Sequence, residues 1–167
     1  MTLKSEWLSD INDMHYKFGA TEWVDAMHSS KNYKLLKDFL AFRLDFLEEE
    51  FEETQAAFLE NNSKEVVDGL IDLIVIAIGT LDLFKCDADV VWDKIHHSNM
   101  AKKPGANKSR KNPFGLPDMV KPKDWVRPNI TEEDCGILPD ILVSEDKNKR
   151  DLENELKNNV ANLHYEE

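Results

Sequence analysis

Cysteine, glycine and proline are scarce in this chain, and each shortage excludes something. Two cysteines among 167 residues, Cys86 and Cys135, are too few for a disulfide framework and are not spaced as metal ligands. We expect both to be reduced thiols of a cytoplasmic protein. The first hundred residues contain no proline and only three glycines: Gly19, Gly69 and Gly79. This part of the chain is therefore predicted to be helical, with short joints.

Long apolar segments and an excess of positive charge are missing as well. The first residues, Met-Thr-Leu-Lys-Ser-Glu-Trp, contain no apolar signal-peptide region. The longest apolar run, residues 71–83, is interrupted by Asp72 and Asp82 and is too short to span a bilayer. The formal net charge is −12, from 33 acidic residues and 21 lysines and arginines, and it opposes binding to duplex nucleic acid. We expect neither a membrane partner nor a stable complex with duplex nucleic acid.

The patterns that are present predict an all-α domain with an irregular end. Apolar residues at helical spacing predict five helices: residues 5–14, 21–29, 34–59, 64–84 and 87–100. Glycine and proline then cluster, so residues 101–129 are predicted to form an ordered but irregular arm within a domain of residues 1–130. Residues 131–167 are predicted to be an acidic extension. Its last part has four apolar residues at the spacing of an amphipathic helix: Leu152, Leu156, Val160 and Leu163.

The third predicted helix carries acids on an apolar face. Three aromatic residues share one stripe at about 100° per residue: Phe39, Phe42 and Phe46. Continued toward the C-terminus, this stripe meets Glu49, Glu50 and Glu53. Glu48 and Glu52 lie on a separate arc that is typical of a solvent face. The first three glutamates are therefore predicted to face inward.

The fourth predicted helix is hydrophobic on all sides, which predicts a central position. Asp72 lies among its apolar residues, where an unpaired carboxylate is costly. Asp68 lies one turn earlier on the same face. No lysine or arginine shares that face, so the charge of Asp72 must be offset by bound cations or by Arg43 of the preceding helix. The residues leave both alternatives open.

Acids that converge from two helices repel one another unless divalent cations lie between them. The five candidate ligands are Glu49, Glu50, Glu53, Asp68 and Asp72. Oxygen ligands favour Mg²⁺, with Mn²⁺ as a substitute. Zinc is not expected, because no cysteine or histidine shares this face. A ferritin-type iron site and an EF-hand are excluded, because the chain contains neither Glu-x-x-His nor a calcium-binding loop.

The acidic motifs resemble those of the all-α nucleoside triphosphate pyrophosphohydrolase superfamily, which contains MazG, the dimeric dUTPases and phosphoribosyl-ATP pyrophosphohydrolase. Its signature is Glu-Glu-x-x-Glu on one helix and Glu-x-x-Asp on the next. The first motif is present as EEFEE at residues 49–53, and Asp72 matches the aspartate. Gly69 replaces the second motif's glutamate, and Asp68 is the nearest substitute. The resemblance is to the MazG-like branch near the dimeric dUTPases. It implies a four-helix-bundle-type fold completed by oligomerisation, as a homodimer or homotetramer.

Two further segments resemble the same superfamily: MHYKFG at residues 14–19 and DKIHHSNMAK at residues 93–102. In the family, the asparagine and lysine of the second segment reach the substrate phosphates. The resemblance therefore implies this role for Asn99 and Lys102, and His96 is a further candidate for substrate contact. His15 and His97 are predicted to be helix-surface or interface residues.

The predicted arm is basic beside an acidic centre, which suits a polyphosphate substrate. Eight lysines and arginines and two acids lie between residues 102 and 127. Lys103 and Arg127 join Lys102 as candidates for the outer phosphates. Trp125 either covers a base or anchors the arm to the core. A solubilising loop or a weak nucleic-acid contact is the alternative for most of these cations, such as Lys108, Arg110 and Lys111.

Together these features predict a Mg²⁺-dependent nucleoside triphosphate pyrophosphohydrolase that releases a nucleoside monophosphate and pyrophosphate. Glu50 or Glu49, with Glu50 preferred, is predicted to accept the proton of the attacking water. One alternative is a dUTP-selective pyrophosphatase of the dimeric dUTPase type. The other is a non-catalytic helical module that uses its acidic face to bind a partner.

Overall fold

The computed structural model of the protein describes residues 4–106 and 112–143, and most of them are helical. Five long helices come first: α1 Lys4–Lys17, α2 Ala20–Ser29, α3 Tyr33–Leu59, α4 Ser63–Leu83 and α5 Ala88–Met100. The remaining elements are short: strand β1 Lys103–Gly105, strand β2 Asp118–Val120, a 3₁₀ turn Glu133–Cys135 and helix α6 Leu138–Ile141. The all-α prediction is confirmed, and the predicted helices match the observed ones to within three residues at each end.

Two joints of the same design connect α2 to α3 and α3 to α4. In each, the second residue after the helix is left-handed, with φ of 56° at Lys31 and 57° at Asn61. The asparagine that follows, Asn32 or Asn62, then accepts a backbone hydrogen bond at 3.4 Å from the first turn of the next helix. One helix thus ends and the next begins within about three residues, which reverses the chain.

Helices α3 and α4 form an antiparallel hairpin that is the centre of the fold. Near its turn, Thr54 lies against Gly69. Farther along, Arg43 reaches Ile76 and Thr80. Helix α1 packs on α4, and α2 packs on α3.

The fully buried core lies at the end of this hairpin away from its turn. Five buried side chains form it: Val24, Leu36, Leu83, Phe84 and Ile141. The ring centre of Phe39 lies 6.0 Å from that of Phe84. Ile141, only 5% exposed, belongs to α6 and therefore to the segment predicted as an acidic extension. Part of that segment contributes to the core.

Gly136 lets the chain after the arm approach the end of α4. Its φ is 58°, and a Cβ there would lie 2.3 Å from the carbonyl oxygen of Phe84. The N–H of Ile137 donates to this same oxygen at 3.0 Å, and the N–H of Asp87 donates to the carbonyl of Asp134 at 3.0 Å. Cys86 and Cys135, which lie beside this junction, are both free thiols, as predicted.

The arm contains a short strand pair that the sequence did not predict. Strands β1 and β2 pair antiparallel, with Lys103 opposite Val120; three residues are too few to show an alternating pattern. Lys108, Arg110, Lys111 and the helix predicted at residues 152–163 lie outside the described residues. None of the described helices combines the length and apolar character that a membrane crossing needs.

Candidate active site

Helices α1, α3 and α4 line a partly open cavity of about 240 Å³, here called the acid cavity. Its lining side chains come from all three helices: Met14, His15, Arg43, Phe46, Glu50, Asp72, Val75 and Ile76. Phe46 precedes Glu50 by about one helical turn, so the aromatic stripe of α3 carries Glu50 to the cavity. Glu50 and Asp72, predicted as ligands on separate helices, thus face one space.

The surroundings of Glu50 are strongly negative. Burial is the largest factor that raises the pKa of its carboxyl group, and the charges of nearby carboxylates raise it further. In order of effect, these carboxylates belong to Asp72, Glu53, Glu49 and Asp68. They are the other four predicted ligands, so the five acids lie close enough to act on one another.

The five acids differ in exposure. Glu50 and Asp72 are half-buried, whereas Glu49, Glu53 and Asp68 are exposed. Among the side chains that the structure describes, no three of His, Cys, Asp or Glu are arranged so that they could hold a metal ion. A single chain therefore brings the carboxylates into one neighbourhood without enclosing a metal site.

The ion pair between Arg43 and Asp72 that the sequence left open is not formed. Arg43 instead donates from Nε to Oγ1 of Thr80 at 3.1 Å and from Nη2 to the carbonyl of Ile76 at 2.9 Å. Both acceptors belong to α4. The half-buried guanidinium adds a positive group to the wall of the acid cavity, but it does not bind the carboxylate of Asp72.

A second cavity, of about 640 Å³, lies between α5 and the arm and is here called the arm cavity. Helix α5 contributes Lys94 and His97, and the arm contributes Lys103, Trp125 and Arg127. The last three are predicted substrate-binding residues, and they share one space. The arm cavity and the acid cavity have no lining residue in common.

Trp125 anchors the arm to α5. Its indole N–H donates to the carbonyl of Ser98 at 2.8 Å, and the hydroxyl of Ser98 donates to the carbonyl of Val126 at 3.2 Å. The ammonium of Lys121 lies 4.4 Å from the centre of the Trp125 ring. Anchoring therefore accounts for the indole N–H, while the ring also lines the arm cavity.

The remaining predicted substrate residues lie around the end of α5. Lys102 donates from Nζ to Oδ1 of Asn99 at 2.8 Å and lies 5.8 Å from the ring centre of Trp125. His96 is exposed and lines neither the acid cavity nor the arm cavity. Within one chain, the predicted ligands and the predicted substrate residues form two separate groups.

Residues 22–99, which contain α3, α4 and all five predicted ligands, match the phosphoribosyl-ATP pyrophosphohydrolase family. That family is part of the MazG-like all-α nucleoside triphosphate pyrophosphohydrolase superfamily, and the match spans 78 of the 167 residues. The match indicates that the chain is a pyrophosphohydrolase, a hydrolase that acts on phosphoric anhydrides. The family is generally dependent on a divalent metal. No curated protein and no solved structure matches the chain at a significant level.

Position 69 is where the chain departs from the superfamily signature, and helix packing explains why. A Cβ at Gly69 would lie 2.2 Å from Oγ1 and 3.2 Å from Cβ of Thr54. Thr54 is itself fixed, because its hydroxyl donates to the carbonyl of Glu50 at 2.7 Å. A glutamate at position 69 would need α3 and α4 to separate. The neighbouring Asp68 is exposed, and its charge contributes to the field at Glu50.

The prediction that His15 is a surface or interface residue is wrong. His15 is 6% exposed, and its Nδ1 lies 2.7 Å from a carboxylate oxygen of Asp82. Asn12 donates to the other oxygen of Asp82 at 2.9 Å. His15 also lines the acid cavity, from a third helix, which the sequence did not predict. The signal was its spacing, since His15 follows the buried Ile11 by about one helical turn.

The donor groups fit the metal dependence of the superfamily. Carboxylate oxygens on two facing helices are the ligands that Mg²⁺ and Mn²⁺ prefer. Burial and the charges of four nearby carboxylates raise the pKa of Glu50, and a divalent cation would offset the second of these causes.

Proposed function

We propose that this pyrophosphohydrolase cleaves a nucleoside triphosphate, ribose or deoxyribose, between its α- and β-phosphates, with Mg²⁺ as cofactor and Mn²⁺ as substitute. The observation that carries the proposal is Glu50, which shares a cavity with Asp72 and lies in the field of four carboxylates. A cation that offsets this field also binds polyphosphates. The match to an enzyme family favours this function over a non-catalytic interaction module.

In this proposal, five carboxylates hold the metal: Glu49, Glu50, Glu53, Asp68 and Asp72. When bound there, Mg²⁺ would supply polarisation of the phosphate oxygens and a more nucleophilic water. Glu50, with Glu49 beside it in sequence, accepts a proton from the attacking water at a carboxylate oxygen. A bond forms between the water oxygen and the α-phosphorus, the bond from that phosphorus to the bridging oxygen breaks, and pyrophosphate leaves.

The basic side chains near the arm cavity bind the rest of the substrate. Lys102, Lys103 and Arg127 are proposed to hold the outer phosphates through charge-assisted hydrogen bonds. Asn99 and His96 are proposed as further substrate contacts on α5. The ring of Trp125, already anchored through its N–H, offers a face for the base.

The cleavage position is tested with a panel of dUTP, dCTP, dGTP, dATP, dTTP and the ribonucleotides, each with Mg²⁺. Phosphorus NMR of the products should show monophosphate and pyrophosphate. A diphosphate with orthophosphate would contradict attack at the α-phosphorus. The ratios of kcat/KM across the panel test the dUTP-selective alternative, for which no feature of the acid cavity provides a specific argument.

Metal binding is tested by calorimetry with Mn²⁺ on the wild type and on two matched variants of α3. Glu53→Gln should weaken Mn²⁺ binding, because it removes a proposed ligand that acts on Glu50. Glu52→Gln, one residue earlier and outside the proposed set, should bind Mn²⁺ as the wild type does. Equal affinities in the two variants, or no binding by the wild type, would reject the ligand set.

We further propose that the enzyme is a homodimer or homotetramer. Large apolar side chains of the central hairpin are exposed in one chain: Phe51 at 51%, Phe58 at 70%, Leu70 at 50% and Ile71 at 45%. A surface this apolar favours burial against another copy. Light scattering coupled to gel filtration at low micromolar concentration should give a multiple of the chain mass, and a monomer would contradict the proposal.

A further inference from the structure

One wall of the acid cavity carries nitrogen donors rather than carboxylates. A Cβ at Gly79, one turn before the end of α4, would lie 3.0 Å from Nη2 of Arg43 and 3.1 Å from Nε2 of His15. Both nitrogens therefore pack close to the backbone of Gly79, and a side chain at position 79 would displace them. Both residues line the cavity that Glu50 and Asp72 also line.

The imidazole of His15 is held in one orientation by a contact to α4. Asp82 binds its Nδ1 at 2.7 Å, and Asn12 in turn fixes Asp82 at 2.9 Å. The side chains of His15 and Asp82 are only 7% and 12% exposed, so solvent competes little for this contact. Nδ1 is thus occupied, and in the described part of the chain Nε2 has no hydrogen-bond partner. Nε2 is therefore the ring nitrogen of His15 that stays available to a ligand.

Arg43 is likewise anchored on one side and open on the other. Two of its five N–H groups bind Thr80 and the carbonyl of Ile76. Within residues 4–106 and 112–143, the remaining N–H groups have no acceptor, and no carboxylate pairs with this half-buried cation. Leaving a partly buried charge unpaired is costly, which indicates that an anion belongs beside it.

We infer that Arg43 and His15, meeting over Gly79, form an anion site that binds a phosphate group of the nucleotide on the side of the acid cavity opposite the carboxylates. This inference rests on the proposed function. The cavity, at about 240 Å³, is smaller than the roughly 300 Å³ at which pockets for whole small molecules begin. It suits a phosphate group, with the nucleoside outside.

The arrangement assigns separate tasks to the two walls. The carboxylates would act through their cation on one set of phosphate oxygens, while unused N–H groups of Arg43 and the ring of His15 bind the others. With a phosphate bound, the ring is the imidazolium, because Nδ1–H donates to Asp82 and a second proton is needed for Nε2–H to donate to the phosphate. Donors fixed before the substrate arrives stabilise the charge that develops on phosphate oxygens during attack. Asp82 acts only through His15 and is a positioning residue.

Two substitutions of His15 test the site, because each keeps an N–H donor near the position of only one of the two ring nitrogens. His15→Asn places an amide nitrogen near the position of Nδ1, where it can still donate to Asp82, but leaves no group at Nε2. His15→Gln places its amide nitrogen near Nε2. Calorimetry with a non-hydrolysable α,β-imido deoxynucleoside triphosphate and Mg²⁺ should show about tenfold weaker binding for His15→Asn. His15→Gln should recover a large part of this loss.

Two further measurements separate this site from the metal site and from folding. Mn²⁺ affinity should remain close to wild type in both variants, because no proposed ligand is changed. The melting temperature should fall more in His15→Gln, which loses the contact to Asp82, than in His15→Asn, so a loss of binding caused by instability would rank the variants in the opposite order. Wild-type nucleotide affinity in His15→Asn, or equal losses in both variants, would overturn the anion site. A wild-type protein that neither binds nor cleaves any nucleotide would instead overturn the proposed function, and the anion site with it.

Discussion

The acid cavity and the arm cavity differ in almost every respect that matters for catalysis. The first is small, lies between three long helices and carries half-buried carboxylates whose charges act on one another. The second is more than twice as large and lies between one helix and an irregular segment held by a few hydrogen bonds. Rigid helices suit chemistry that needs fixed distances, whereas a loop suits binding that varies between substrates. In the proposed function, this contrast assigns the chemical step to the acid cavity and the binding of the outer phosphates and the base to the arm cavity.

The largest effect on the difference between the two cavities is expected when a proposed metal ligand in or beside the acid cavity is neutralised. Asp72→Asn and Glu53→Gln should each lower kcat by about a thousandfold or more, since the proposed cation loses a ligand. The fold should remain, because both changes remove repulsion around Glu50. Steady-state kinetics and circular dichroism measure the two effects. Wild-type turnover in both variants would refute the assignment of the chemical step.

Changes in the arm cavity should affect binding instead. Arg127→Ala and Lys103→Ala are each expected to raise KM about tenfold and to change kcat little, because each removes one charge-assisted contact to an outer phosphate. Lys123→Ala is the matched control, since Lys123 belongs to the arm but does not line the cavity. A fall in kcat with KM unchanged would show that the arm contributes to the chemical step, and it would contradict the assignment of that step to the acid cavity alone.

The contact between Thr54 and Gly69 sets how closely the acid-bearing helices approach. Gly69→Ala should destabilise the protein by about 2 kcal/mol, because overpacking exceeds the gain of about 1 kcal/mol in helix propensity. In a Thr54→Ala background the same change should cost less, since the closest atom is gone. Chemical unfolding of the four proteins of this cycle measures the coupling. Additive effects would show that the contact does not limit the helix separation.

Removing the hydrogen bond that anchors Trp125 to α5 should have a smaller effect on stability. Trp125→Phe removes the hydrogen bond to the carbonyl of Ser98 but keeps an aromatic ring. A loss of about 1 kcal/mol in stability is expected, and the acid cavity should be unaffected. Mn²⁺ affinity below that of the wild type would show that the two cavities are coupled within one chain.

The smallest expected effect is the pH dependence of metal stabilisation. The pKa of Glu50 is raised in the folded protein, mainly by burial. At pH values between the ordinary pKa of 4.5 and the raised pKa, the metal-free folded protein therefore binds more protons than the unfolded chain. Glu50 therefore favours folding at low pH, and this contribution is lost as the pH rises through the raised pKa. Mg²⁺ must displace that proton, so its thermal shift should shrink as the pH falls from about 8 to about 5. Glu50→Gln should make the stability of the metal-free protein less dependent on pH.

The long helices and the pair formed by Glu50 and Asp72 could be predicted because each depends on periodicity within a single helix. The aromatic stripe carried Glu50 inward, and the apolar surroundings of Asp72 marked it as unusual. The wall built by His15 and Arg43 could not be predicted in the same way, because it depends on three helices meeting over Gly79. Gly69 was recognisable as a departure, but only the distance to Thr54 gives its cause.

The part of the chain after the arm was predicted least well. Its acidic composition hid Ile141, whose burial depends on the close approach that Gly136 permits. The boundary predicted at residue 131 stays a proposal. It is tested by comparing a chain that ends at residue 130 with one that ends at residue 143, of which only the first lacks α6.

The place of Ile141 in the core has a consequence for how the protein is made. A ribosome adds this residue well after it has finished the helices that Ile141 covers. Until then Leu83 and Phe84 lack one of their apolar neighbours, however well α3 and α4 have paired. The newly made chain therefore completes its most buried region late. A protein truncated during synthesis keeps exposed apolar side chains there, to which quality-control chaperones can bind.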